Sequence, residues 1–182
     1  MHKKFTAFLF EAISTCVSAV VVIAVVFSFG FRLTTVEGSS MEPTLSDKDK
    51  LIVSSVDGEY TYGDIVIVCE PNILKEIIVK RVIATEGQWV DVRYDEGIVY
   101  VGDTRDTMQP LDEPYTASLT DEFYPEDEHI YPVQVPANSV FVMGDNRNDS
   151  TDSRSYRVGF VNVNYILGKV YARLAPEFDT YF

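Results

Sequence analysis

Histidine is almost missing from this chain: among 182 residues there are two, His2 and His129. Cysteine is as scarce, with Cys16, Cys69 and no CxxC pair. That excludes a disulfide-stapled secreted scaffold. Cys16 lies in an apolar run and Cys69 in the strand-like Ile65-Val66-Ile67-Val68-Cys69, so the two do not pair, and both read as small hydrophobes. Basic charge is also short, with 15 Lys and Arg against 28 Asp and Glu, a net charge of −13. Residues 1–32 carry Lys3, Lys4 and Arg32 against Glu11, which leaves 12 basic and 27 acidic residues beyond them. A nucleic-acid footprint needs the opposite balance. Docking on anionic lipid by charge is excluded for the same reason.

What is present is apolar residues. They make up 46% of the chain, enough for a packed core, and the length fits one domain plus an anchor. Residues 12–31 carry no charge. Twenty residues at ~1.5 Å rise cross a ~30 Å hydrocarbon layer. The expected organisation is a cytoplasmic tail over 1–11, a transmembrane signal-anchor over 12–32, and an extracytoplasmic domain over 33–182. Lys3 and Lys4 keep the short tail inside, and Glu11 sits at the cytoplasmic edge. Ser28-Phe29-Gly30 has the small-x-small form of a cleavage site, but the apolar run is overlong for a cleaved leader.

Beyond Arg32 the pattern is short β segments separated by turn signals. The expected strands are Leu51–Ser54, Asp64–Cys69, Glu76–Ala84, Trp89–Tyr94, Ile98–Val101, Val133–Val135, Ser139–Met143 and Leu167–Leu174. Turns are expected at Tyr62-Gly63-Asp64, Asp95-Glu96-Gly97 and Pro136-Ala137-Asn138. This predicts a compact, mostly β domain with partly closed sheets. Residues 103–128 hold nine acidic residues and one basic, Arg105. They read as a solvated excursion.

Three segments carry chemistry. Ser40 lies eight positions after Arg32, an extended reach of ~26–29 Å from the membrane edge. Pro43 stiffens its surroundings by fixing φ and restricting Glu42. A serine nucleophile needs a base. His2 is in the cytoplasmic tail and His129 in the acidic excursion, so a Ser-His-Asp triad is hard to assemble. A lysine serves only if its pKa falls by several units, which desolvation achieves. Lys80, in Ile77-Ile78-Val79-Lys80-Arg81-Val82-Ile83-Ala84, shares its strand face with Ile78 and Val82. A lysine ordinarily reaches solvent from a strand edge, and that reading stays open from this segment alone. The third segment runs from Gly144 to Arg154. It fails as a calcium loop, because Arg147, Ser150 and Tyr156 occupy ligand or glycine positions. It suits a hydrogen-bonded turn in which a hydroxyl holds an amine and Asp152 pairs with Arg154.

Taken together, these segments resemble the type I signal peptidases. Ser40-Met41-x-Pro43-Thr44 is similar to the nucleophile box and Tyr62-Gly63-Asp64-Ile65-Val66 to the strand box after it. Lys80-Arg81-Val82-Ile83 is similar to the general-base box, and Gly144 to Arg154 to the GDNR…S-x-DSR box. Leu111-x-Glu113-Pro114-Tyr115 and Gly168-Lys169 are weaker echoes. The boxes occur in the family's order, and the single anchor matches the Gram-positive form. The resemblance implies a membrane-bound serine endopeptidase with Ser40 as nucleophile, Lys80 as general base and an acyl-enzyme intermediate. It implies that Ser150 orients the lysine, that Asp152 and Arg154 support it, and that Val36, Met41, Leu45, Ile78 and Val79 line the substrate pocket. No metal or cofactor is implied. The implied partners are the lipid bilayer and exported preproteins with small residues at −1 and −3 of the cleavage site. Three features depart from the family pattern: Gly38 where some relatives have a serine oxyanion donor, Asn148-Asp149 in reversed order, and Thr85-Glu86-Gly87-Gln88 in place of Pro-Gly-Asp. The alternative function is an inactive relative serving as a membrane-anchored peptide-binding module. A self-cleaving repressor-type peptidase is argued against by the anchor.

Overall fold

The computed structural model describes residues 2–55, 58–69, 77–116 and 130–180. His129, Glu76 and residues 117–128 of the acidic excursion lie outside them.

The chain opens with one helix, α1 (His2–Gly30). Its stretch Phe8–Val25 has a mean hydropathy of 2.3 and buries nothing against the rest of the protein. It is long and apolar enough to cross a bilayer. Glu11 is the fourth residue of that stretch, near its N-terminal end. Two hydroxyls in the run fold back on the helix: Thr15 Oγ1 donates to Glu11 O at 2.9 Å and Ser28 Oγ to Ala24 O at 2.7 Å. Such bonds satisfy polar groups where no water is at hand. Phe31 and Arg32, expected to belong to the anchor, begin the first strand instead.

Among the described residues eleven strands follow, all paired antiparallel. They are β1 (Phe31–Thr35), β2 (Lys50–Ser54), β3 (Ile65–Cys69), β4 (Ile77–Thr85), β5 (Trp89–Arg93), β6 (Ile98–Gly102), β7 (Gln109–Pro110), β8 (Val133–Gln134), β9 (Ser139–Met143), β10 (Val161–Asn162) and β11 (Ile166–Ala175). Seven form one sheet in the order β1-β2-β11-β3-β4-β9-β10, and four form a second in the order β7-β6-β5-β8. Among the described residues neither sheet closes, so the partial closure expected from the sequence is not found there. The predicted mostly β class is correct.

Alternation explains the layering. Ile65 and Ile67 of β3 pack with Val36, Met41, Leu45, Leu51, Val53 and Val170 on one face of the large sheet. Val66 and Val68 pack on the other face with Val82, Val140 and Val142. Val90 and Val92 of β5 meet Ile83, Phe141 and Met143 in a third cluster, which joins the two sheets. The small sheet is thus inserted in the chain between β4 and β9, which are neighbours in the large one. The predicted turns lie where backbone freedom is needed: Gly63 and Gly97 have φ of 93° and 69°, and Asn138 has 55°.

The described part of the acidic excursion is more ordered than expected. Arg105–Thr107 forms a turn of 3₁₀ helix, and β7 pairs with β6.

Candidate active site

Three segments meet at the middle of β4, around Lys80. The first follows β1. Gly38, at φ 91°, turns the chain, and its N–H donates to Asp47 Oδ1 at 3.0 Å. Leu45 N–H then donates to Met41 O at 2.9 Å, closing a turn. Met41 and Leu45 are buried beside Val36, and Ser40 is left half-buried.

The second segment is β4. Lys80 pairs with Val66 of β3, and Arg81 pairs with both Ile65 and Met143. Both strand faces are covered, so both charged residues are enclosed, with exposures of 3% and 1%. Lys80 Nζ donates to Ser40 Oγ at 2.7 Å and to Val79 O at 3.0 Å. Burial is the main cause that pulls the Lys80 ammonium from 10.5 down to about 8. Arg154 acts in the same direction, while Asp152 and Asp145 oppose it.

The third segment follows β9. Asp152 is fully buried and accepts from Gly144 N–H at 2.9 Å, Ser150 Oγ at 2.8 Å and Arg154 Nε at 2.9 Å. Burial opposes its charge, yet the Arg154 guanidinium and these hydrogen bonds hold its carboxyl below the usual range. Arg154 also donates to Arg147 O, which ties the loop to itself. Gly144 leaves no room for a side chain. A Cβ there would run into the Ser40 carbonyl oxygen and the Ser150 side chain.

The structure therefore brings together Ser40, Lys80, Asp152 and Arg154, and sets Ser150 beside them. The Ser150 hydroxyl donates to Asp152, whereas the lysine amine bonds to Ser40 and Val79. Asp152, which Ser150 holds, acts on Lys80 through its charge. Of the expected pocket residues, Val36, Met41, Leu45 and Val79 pack as one group. Ile78 is not with them; alternation turns it to the opposite face, against the Val66 cluster.

Sequence reasoning passed over the supports of this site. Arg81 makes a two-pronged pair with Asp145, at 2.8 Å to Oδ1 and 2.7 Å to Oδ2. It also donates to Gly63 O at 2.9 Å, and its guanidinium lies 4.0 Å from the centre of the Tyr115 ring. Glu113, from the acidic excursion, grips Arg147 through both carboxylate oxygens. Arg147 Nε donates to Gly144 O at 3.0 Å. The available signal was two consecutive cations inside an apolar strand: with both faces covered, each demands a buried partner.

Known proteins are similar to this chain in sequence. The model of the family "Signal peptidase, peptidase S26" matches residues 9–175. A signal peptidase I of Bacillus caldolyticus is 39% identical over 166 residues, 87% of each chain. A probable signal peptidase I-1 of Synechocystis is 37% identical over 78% of this chain and 69% of its own. A signal peptidase I crystal structure from Enterococcus faecalis V583 aligns with a TM-score of 0.44 and 26% identity, covering 61% of this chain and 96% of that one. By the family match and these relatives, the chain belongs to the signal peptidase family, peptidase S26, a family of serine endopeptidases.

Proposed function

We propose that this chain releases signal peptides from exported preproteins, with Ser40 as nucleophile and Lys80 as its base. The observation that carries this reading is the 2.7 Å separation of Lys80 Nζ and Ser40 Oγ around a lysine that is 3% exposed. With a pKa of about 8, about a tenth of the lysine is neutral at pH 7. In that form its lone pair accepts the Ser40 proton while Oγ attacks the scissile carbonyl. The carbonyl oxygen gains the negative charge and is met by the Ser40 backbone N–H. Lys80 then gives its proton to the leaving amine, and the acyl-enzyme on Ser40 remains. A water deprotonated by Lys80 attacks the acyl carbon and frees Ser40.

The segment before Ser40 and the strand before Lys80 offer extended backbone for a substrate strand. Beneath it lie Val36, Met41, Leu45 and Val79, an apolar floor suited to small residues at −1 and −3. Helix α1 anchors the enzyme in the bilayer. Lys3 and Lys4 hold the tail on the cytoplasmic side, and the β domain works on the other.

The test is cleavage of a preprotein by the full chain in detergent. Ser40→Ala and Lys80→Ala should each lose cleavage by at least ~10³-fold. Undiminished cleavage by either variant sinks the dyad. Cleavage by neither variant nor the unaltered chain points to a peptide-binding module.

A further inference from the structure

Two carbonyls flank the Cα of Ser40, that of Ser39 and its own. One residue holds both. Asn146 N–H donates to Ser40 O at 3.1 Å, and Asn146 Nδ2 donates to Ser39 O at 3.2 Å. Ser39 O also accepts from Glu42 N–H at 3.0 Å. The Ser39 hydroxyl donates to Asp149 Oδ2 at 2.6 Å, a second tie from this peptide to the loop after β9.

The Ser39–Ser40 bond is not among the cis peptides of the chain. In a planar trans peptide, the C=O and the next N–H point in opposite directions. Whatever aims Ser39 O therefore aims Ser40 N–H the other way, out of the loop after β9. Among the described residues, that N–H makes no hydrogen bond. Other donors nearby are few: position 38 has no side chain, and Gly38 N–H is committed to Asp47.

We infer that Asn146 is a positioning residue for the reaction: by holding Ser39 O, its side-chain amide aims the Ser40 N–H at the oxygen that becomes negative in the tetrahedral intermediate. The inference rests on the reading of Ser40 as the nucleophile. Asn146 itself touches neither substrate nor the reacting atoms. Its contribution is orientation, and a donor fixed in advance is what makes an oxyanion site effective.

The experiment uses the full chain in detergent, a preprotein substrate and a peptide aldehyde. The aldehyde forms a hemiacetal with Ser40 and so carries the oxygen in question. For Asn146→Ala, kcat should fall ~10- to 100-fold with KM changed by less than about threefold. Aldehyde affinity should weaken by a similar factor. The acid limb of the pH–rate profile should stay where it is, because the dyad is untouched. Asn146→Asp sets a carboxylate oxygen where Nδ2 had donated, and should fall further. It also serves if the alanine variant fails to fold. A kcat within about threefold of the unaltered chain overturns the inference. So does a kcat loss with unchanged aldehyde affinity, or one with a displaced acid limb. Cleavage retained by Ser40→Ala or Lys80→Ala in the same assay overturns the underlying nucleophile assignment instead.

Discussion

Gly144 lies against the Ser40 carbonyl so closely that no side chain fits between them. Gly144→Ala is therefore the smallest change that reaches the nucleophile without touching it. One obstacle is backbone, which cannot swing aside as a flexible side chain would. Overpacking of this kind costs ~1–3 kcal/mol, and a displacement near 1 Å at Ser40 costs ~100-fold in rate. Thermal melts and cleavage rates measured together should show a modest loss of stability and a large loss of activity. Near-normal cleavage would mean that the loop gives way.

Cleavage should rise with pH through an inflection near 8, because the base must be neutral and Lys80 titrates at about 8. The charges around it predict opposed shifts. Asp152 favours the ammonium, so Asp152→Asn should move the acid limb to lower pH. Arg154 disfavours it, so Arg154→Met should move the limb to higher pH. Profiles of kcat/KM from about pH 6 to 10 decide both signs.

The same lysine has a stability signature. Its folded pKa lies below its unfolded one, so between about 8 and 10.5 the unfolded chain binds the extra proton. Stability contributed by this group therefore rises with pH across that window. At neutral pH its burial is a cost, and Lys80→Met should be inactive yet more stable by about 3 kcal/mol. Urea titrations at pH 7 and pH 10 should show the difference shrinking at the higher pH.

Arg81 and Asp145 form a pair with 1% and 0% side-chain exposure. Asp145→Leu leaves the guanidinium enclosed without its carboxylate, a loss of ~3–5 kcal/mol. Arg81→Met combined with Asp145→Leu should recover most of it, since two apolar groups replace the pair. Denaturant unfolding of Asp145→Leu, Arg81→Met and the double variant forms the cycle, and strict additivity would show that the two residues are not coupled.

Eight of the strands were legible in the sequence because alternation is a local mark of a strand. The proposed pairing of Ser40 with Lys80 was not legible in one segment: a lysine amid isoleucine and valine reads first as one that reaches solvent from a strand edge, and only the ordered boxes taken together pointed to the pair. β1 was hidden because Phe31-Arg32-Leu33-Thr34-Thr35 continues an apolar run, and nothing local separates the last helical residue from the first extended one. β7 and β10, of two residues each, are too short to alternate. The Arg81–Asp145 and Glu113–Arg147 pairs were hidden because their members lie 64 and 34 positions apart. Only the meeting of β4 with the loop after β9 shows that the charges are enclosed. The Ser150 hydroxyl was expected on the lysine, but Asp152, two residues away, is its partner. Ile78 was placed with Val79, although neighbours on a strand face opposite sides.

The site is built from the chain at positions 38–45, 79–81 and 144–154, separated by β2, β3, β9 and all of the small sheet. No single segment is a protease. An unfolded chain holds Lys80 in water, where its ordinary pKa leaves it charged at neutral pH and useless as a base. Only when β4 is sandwiched between β3 and β9 does the amine lose water and meet Ser40. Folding is thus the enzyme's own activation step. On the proposed reading, an unfolded copy holds both Ser40 and Lys80 and yet has almost no neutral amine to serve as the base at neutral pH.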